Sequence, residues 1–116
     1  MRIDSDMLEK IEDLLKLYCK EVESATDSNT KKIILYGSYA RGDFQSDSDV
    51  DIMILVDTDI TGISSLERKI CDITYDFNDK CGVDIMPIVQ SYQHFEHWKK
   101  ADMFYRNVDY EGVILY

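Results

Sequence analysis

The chain has 116 residues, 45% apolar and 31% charged, the balance of a globular domain rather than a disordered segment. No apolar run approaches the roughly 20 residues of a membrane span, and the opening Met1-Arg2-Ile3-Asp4-Ser5-Asp6 is too acidic and too broken for a signal peptide. Thirteen basic residues against 23 acidic ones leave a net charge of −10, so no basic face is available for gripping nucleic-acid phosphates. These features predict one soluble cytoplasmic domain over residues 1–116, with no membrane role and no direct nucleic-acid binding. Between Asp43 and Asp84 there are 11 acidic and 3 basic residues, a crowding that calls for bound cations. Cys19, Cys71 and Cys81 form no CxxC pair and are odd in number, which predicts reduced thiols and no zinc site.

Along the chain, Leu8, Ile11, Leu15, Tyr18 and Val22 recur at helical spacing from Ser5 to about Ser24. After a Thr26–Asn29 loop, Lys31 to Gly37 carries the apolar run Ile33-Ile34-Leu35-Tyr36, a buried strand stopped by glycine. A small helix from Ser38 to about Gly42 follows. Val50 to Val56 is nearly continuous apolar, as in a strand covered on both faces. Ser64 and Glu67 read as a capping box opening a second amphipathic helix that ends near Cys81-Gly82. A third strand is expected over Val83–Val89, then a helical region from about Ser91 to Glu111, in one or two pieces. Gly112 and a short apolar tail, Val113 to Tyr116, close the chain. The alternation predicts an α/β (α+β) fold with a small mixed central sheet flanked by helices.

The chemistry is concentrated in Leu35 to Asp43 and Ser46 to Ile52. A strand that ends in Gly37-Ser38 and turns into a helix presents backbone N–H groups and a hydroxyl to an anion. Ten residues separate Ser38 from Asp49, and Asp49 and Asp51, two apart at the start of a strand, point to the same face. Paired hard oxygen donors suit Mg²⁺ that also holds substrate phosphates. Asp84 interrupts an apolar strand, where an unpaired carboxylate costs several kcal/mol, so it needs a partner. On a neighbouring strand it would complete a cluster of three.

Gly37-Ser38-x-Ala40-Arg41-Gly42, then Ser48-Asp49-x-Asp51 and the lone Asp84, resembles the nucleotidyltransferase superfamily of DNA polymerase beta and kanamycin nucleotidyltransferase. The match is strongest to its minimal branch, small proteins often encoded beside a HEPN-domain partner, and the ending Phe104 to Tyr116 resembles that branch as well. The resemblance implies the polymerase-beta-type fold and transfer of a nucleoside monophosphate from an NTP such as ATP to an acceptor hydroxyl, with release of pyrophosphate. It implies that Asp49, Asp51 and Asp84 bind two Mg²⁺ ions and are the catalytic carboxylates. It implies that Gly37, Ser38, Arg41 and Ser48 are the nucleotide-binding positions. Arg41, one turn beyond Ser38, is placed for a phosphate or for a structural ion pair, and the sequence leaves both open.

Weaker candidates stand beside these. Asp47 shares parity with Asp49 but precedes the apolar run. His94 and His97 lie three apart on a helix, read as a solvated face before a metal pair. Tyr36 and Tyr39 flank the Gly-Ser turn, as core or as stacking platforms. Phe95, Trp98, Met103, Phe104, Tyr105 and Tyr110 crowd the last quarter, mostly as core, with a partner or homo-oligomer surface in prospect. Three functions follow from the resemblance and the small size: an antitoxin-like enzyme that AMPylates a HEPN partner, a binding module that blocks a partner sterically, and a small-molecule nucleotidyltransferase completed by a second subunit.

Overall fold

The computed structural model describes residues 5–45 and 47–116. The readings made of Met1 to Asp4, of the Leu8 side chain and of Ser46 lie outside the described residues. The elements run α1 (Ser5–Ala25), β1 (Thr30–Tyr36), α2 (Ser38–Arg41), β2 (Val50–Val56), α3 (Ile60–Cys81), β3 (Ile85–Ser91), α4 (Tyr92–Trp98), α5 (Met103–Glu111) and β4 (Val113–Ile114). They build a four-stranded mixed sheet in the order β3-β2-β1-β4. β1 is antiparallel to both β2 and β4, whereas β2 and β3 are parallel and joined through α3. Among the described residues no helix is long and apolar enough to cross a membrane.

The alternation of side chains along β1 and β2 divides the core between the two faces of the sheet. Ile33 and Leu35 of β1 and Val50, Ile52, Ile54 and Val56 of β2 pack with Leu15, Tyr18 and Val22 of α1 and Ile70 and Phe77 of α3. Ile34, Met53 and Leu55 face the other way, against Phe95 of α4 and Val108 of α5. Helices on both sides therefore explain why β2 is apolar at almost every position. Tyr18 is fully buried and shares a 2.6 Å hydrogen bond with the Thr74 hydroxyl, and burial pushes its phenol up to about 12. The three cysteines are free thiols, and burial raises Cys19 to about 11, an inert core thiol.

Three expected boundaries move. α3 starts a turn before Ser64, because Asp59 caps it: one carboxylate oxygen accepts from the Thr61 and Gly62 N–H groups at 3.1 and 3.2 Å. β3 begins at Ile85 rather than Val83, so Asp84 lies exposed just before the strand instead of inside it. The apolar tail, expected only as a tail, pairs with β1 as the short edge strand β4, Ile34 opposite Ile114. The α3 C-terminus closes as expected, on Gly82 in the left-handed region (φ 66) with its N–H bonded to the Asn78 carbonyl.

Asn78 then ties the helix to the next strand. Its side-chain amide donates to the Ile85 carbonyl at 3.1 Å and accepts from the Ile85 N–H at 2.9 Å. Replacing Asn78 by Ala leaves two part-buried backbone groups without partners. The expected loss is about 1–3 kcal/mol in urea unfolding, with an unchanged slope. A midpoint equal to the wild type would show that the clamp is dispensable.

Candidate active site

The site forms where β1, β2 and β3 present their ends together. β1 stops at Tyr36, and Gly37 adopts φ 75, ψ −152, a conformation reserved in practice for glycine. A Cβ there would also collide with Asp51 Oδ2. Gly37 thus allows the chain to turn while the Asp51 carboxylate lies against its backbone. The single turn of α2 follows, closed by Gly42 (φ 83), whose N–H bonds the Ser38 carbonyl at 2.9 Å. Tyr39 points away from the turn and stacks on buried Phe44, ring centroids 4.0 Å apart and 12° from parallel. Ser48 accepts a 2.8 Å hydrogen bond from the Gln45 N–H, which shapes the loop leading into β2.

Strand register assembles the carboxylates. Asp49 and Asp84 each stand one residue before a strand, and the parallel pairing sets Val50 opposite Ile85. The two aspartates are therefore neighbours, and the Val50 N–H bonds the Asp84 carbonyl at 2.8 Å. The Asp84 carboxyl beside it, through side-chain contact and charge, raises the Asp49 carboxyl above its ordinary range, with Asp47 adding to the effect. Asp51 is half-buried opposite Tyr36, and burial and then the Asp49 charge raise it too, opposed by Arg41. The Tyr36 phenol is pushed up to about 12 by burial and by Asp51.

These residues open on a cleft of about 440 Å³, bordered by Tyr36, Gly37, Ser38, Arg41, Ser48, Asp49 and Asp51 on one side. Its other wall is one stripe of α5, Phe104, Asn107, Val108 and Glu111. Asp84 does not line this cleft but opens to a neighbouring one, through its contact with Asp49. Arg41 is exposed at the rim and pairs with Asp43 at 3.4 Å and with Glu111 at 3.2 Å, bridging α2 to α5. The ion-pair reading of Arg41 is met, with partners other than the aspartate cluster, while its guanidinium still faces the cleft.

The α5 wall was not singled out from the sequence as part of the site. Its signal was present, since 104, 107, 108 and 111 form one helical stripe, and Asn107 is polar on a stripe that includes buried Val108. Asp47 is exposed in the loop before β2, and His94 and His97 lie on the exposed face of α4, as expected of them. His94 meets Tyr105 edge-on at 5.8 Å and His97 meets Trp98 at 4.8 Å. Tyr36 meets Phe104 edge-on at 5.7 Å. Phe95 is core, whereas Trp98, Met103, Phe104 and Tyr110 remain exposed.

Among the described residues no three His, Cys, Asp or Glu side chains form a ready-made metal cage. The donor set nonetheless suits Mg²⁺, which commonly uses one or two carboxylates together with waters and substrate oxygens. The Asp49–Asp84 contact supplies hard oxygens whose mutual repulsion a cation would relieve.

A family model described as a nucleotidyltransferase domain matches residues 11–110. The chain belongs to this family. A protein of Methanocaldococcus jannaschii named "Putative protein adenylyltransferase" is 40% identical over 106 residues, covering 90% of this nucleotidyltransferase and 97% of the relative. A second protein of the same organism and the same descriptive name is 34% identical over 80 residues, 69% of this chain and 79% of its own. Among solved structures, a "putative nucleotidyltransferase" from Sulfolobus solfataricus superposes with a TM-score of 0.63 over 99% of this chain and 89% of that one. At 18% identity that likeness is one of fold.

The crowded carboxylates make a signed prediction for the nucleotidyltransferase without metal. A carboxyl raised in the folded state destabilises it at neutral pH. The penalty is absent below the unfolded value, 3.8 for Asp49, and sets in as pH rises through the folded value. Asp49→Asn should therefore melt at or above the wild-type temperature at pH 7, with the difference fading below pH 4. A lower melting temperature at pH 7 would make Asp49 a structural group.

Proposed function

We propose that this nucleotidyltransferase moves AMP from ATP to a hydroxyl on a partner protein in the cytoplasm, a HEPN-type protein being the leading candidate. The observation that carries the reading is the register that sets Asp49 beside Asp84 while Asp51 lies against the Gly37–Ser38 turn. The name shared by the two curated relatives supports a protein as acceptor.

In this reading the Gly37–Ser38 turn and Arg41 receive the phosphates, and Arg41 exchanges Asp43 or Glu111 for a phosphate oxygen. Asp49, Asp51 and Asp84 would hold Mg²⁺, which supplies charge neutralisation and polarises the α-phosphate. The acceptor oxygen bonds to the α-phosphorus as the bond to pyrophosphate breaks, and the acceptor proton passes to a carboxylate oxygen of Asp84. The net charge of −10 favours a basic protein segment over nucleic acid at this mouth.

The test is co-expression with the HEPN-type partner, labelled ATP and Mg²⁺, followed by mass spectrometry of the partner. AMP on the partner with wild type, reduced by at least about 100-fold with Asp49→Asn, is the expected result. A tight complex without modification would replace the enzyme by a steric binding module. Transfer to a small alcohol alone would replace the protein acceptor.

A further inference from the structure

The sheet ends in two edges of unlike character, β3 on one side and β4 on the other. At the start of β3 the Asp84 carbonyl accepts from the Val50 N–H. Alternation then turns the backbone groups of Ile85, Pro87, Val89 and Ser91 outward, away from β2. Most of them are already committed. The Asn78 amide takes both groups of Ile85, and the Ser91 N–H donates to Gln90 Oε1 at 2.8 Å. Pro87 has no N–H to offer. Among the described residues, Val89 alone keeps an outward N–H for an incoming strand. This edge is blocked.

β4 is the opposite case. The Leu115 N–H bonds the Ile33 carbonyl at 2.7 Å, and Ile114 stands opposite Ile34. The same alternation turns the N–H and carbonyl of Ile114 away from β1. Edge strands are commonly guarded by charge, proline or a bulge. Gly112 to Tyr116 carries neither a charged side chain nor a proline. Val113, Ile114 and Tyr116 are 46%, 61% and 41% exposed. An apolar groove of about 390 Å³ runs beside the strand, lined by Ile11, Leu15 and Cys19 of α1 together with Leu35.

We infer that the β4 edge is a dimerisation surface and that its occupant is the β4 edge of a second copy of this chain. A sheet with one blocked and one open edge can pair with its own kind only open edge to open edge. A two-fold axis closes that pairing at two copies instead of extending it into a filament. The edge is also complementary to itself. With the axis at Ile114, the Ile114 N–H of each copy donates to the Ile114 carbonyl of the other. Val113 of one copy then lies opposite Leu115 of the other, on the sheet face that α1 covers, so apolar meets apolar. The axis stands perpendicular to the sheet and makes the two α1 helices antiparallel. Glu12 and Lys16, exposed and one turn apart beside the groove, are thereby set toward Lys16 and Glu12 of the other copy.

Sedimentation equilibrium of the full chain reads the assembly directly, and the expected mass at about 200 μM is twice 13.5 kDa. Ile114→Pro removes the outward N–H and leaves the Leu115 bond to Ile33 in place. Ile114→Lys sets two like charges across the axis. Each should weaken the dimer at least about tenfold, with circular dichroism of the monomer unchanged. Lys16→Glu should weaken it about threefold, and adding Glu12→Lys should restore the wild-type affinity, a rescue that a folding defect does not give. Met86→Lys, exposed on the blocked β3 strand, should leave the dimer as it is. A wild-type monomer at about 200 μM overturns the assignment and leaves the edge to a strand of another protein. So does a dimer that survives both Ile114 substitutions, or one that Met86→Lys dissolves.

Discussion

β2 is buried on both faces at the middle of the sheet, from Ile52 to Val56, and that constraint organises the molecule. A strand so enclosed has no room for charge except at its ends. Asp51 near its start and Asp49 just before it therefore reach the rim where the backbone emerges from the core. The neighbouring strands bring their own rim residues to the same place: Tyr36-Gly37-Ser38 at the end of β1, and Asp84 before β3. Antiparallel pairing on one side and parallel pairing on the other converts three separate stretches of sequence into one site.

The site is electrostatically unfavourable in isolation. Asp49 and Asp51 are both raised, one by its contact with Asp84 and the other by burial, and Arg41 is turned toward Asp43 and Glu111. A fold that tolerates such crowding holds it in place by other means. Asn78 fastens the approach to β3, and the missing Gly37 side chain makes room for the Asp51 carboxylate. The free energy lost to repulsion is available to whatever positive charge enters the site, a trade between stability and function seen widely in active sites.

The two faces of the sheet contribute differently. α1 and α3 supply most of the core, while α4 and α5 cover the opposite face with fewer buried side chains and leave Met86 and Ile88 of β3 exposed. α5 nevertheless gives the cleft beside Asp49 and Asp51 its second wall and ties back to α2 through the Arg41–Glu111 pair. Its docking depends on the chain end as well. Gly112 sits against the Val108 carbonyl and the Ile34 side chain, where a Cβ would collide, and β4 then pairs with β1.

The sequence by itself determined the local elements and the identity of the reactive groups. β2 was legible residue for residue, because seven nearly continuous apolar positions admit little else, and the Gly37-Ser38 turn and the Gly82 cap follow from backbone conformations that glycine adopts. Asp84 was legible as a residue that needs a partner, but its surroundings were not: it lies exposed before the strand, and Asp49 is beside it only because β2 and β3 run parallel in one register. The α3 start escaped for a similar reason, since Asp59 and Ser64 are both plausible caps and packing of the helix on the sheet chooses between them. Phe104, Asn107 and Glu111 are more than fifty residues from Asp49, and only the docking of α5 on the sheet makes them a wall of its cleft. Spacing along the chain carries periodicity and turn chemistry. Which strand ends meet, and which helix covers them, is decided by burial of the whole sheet.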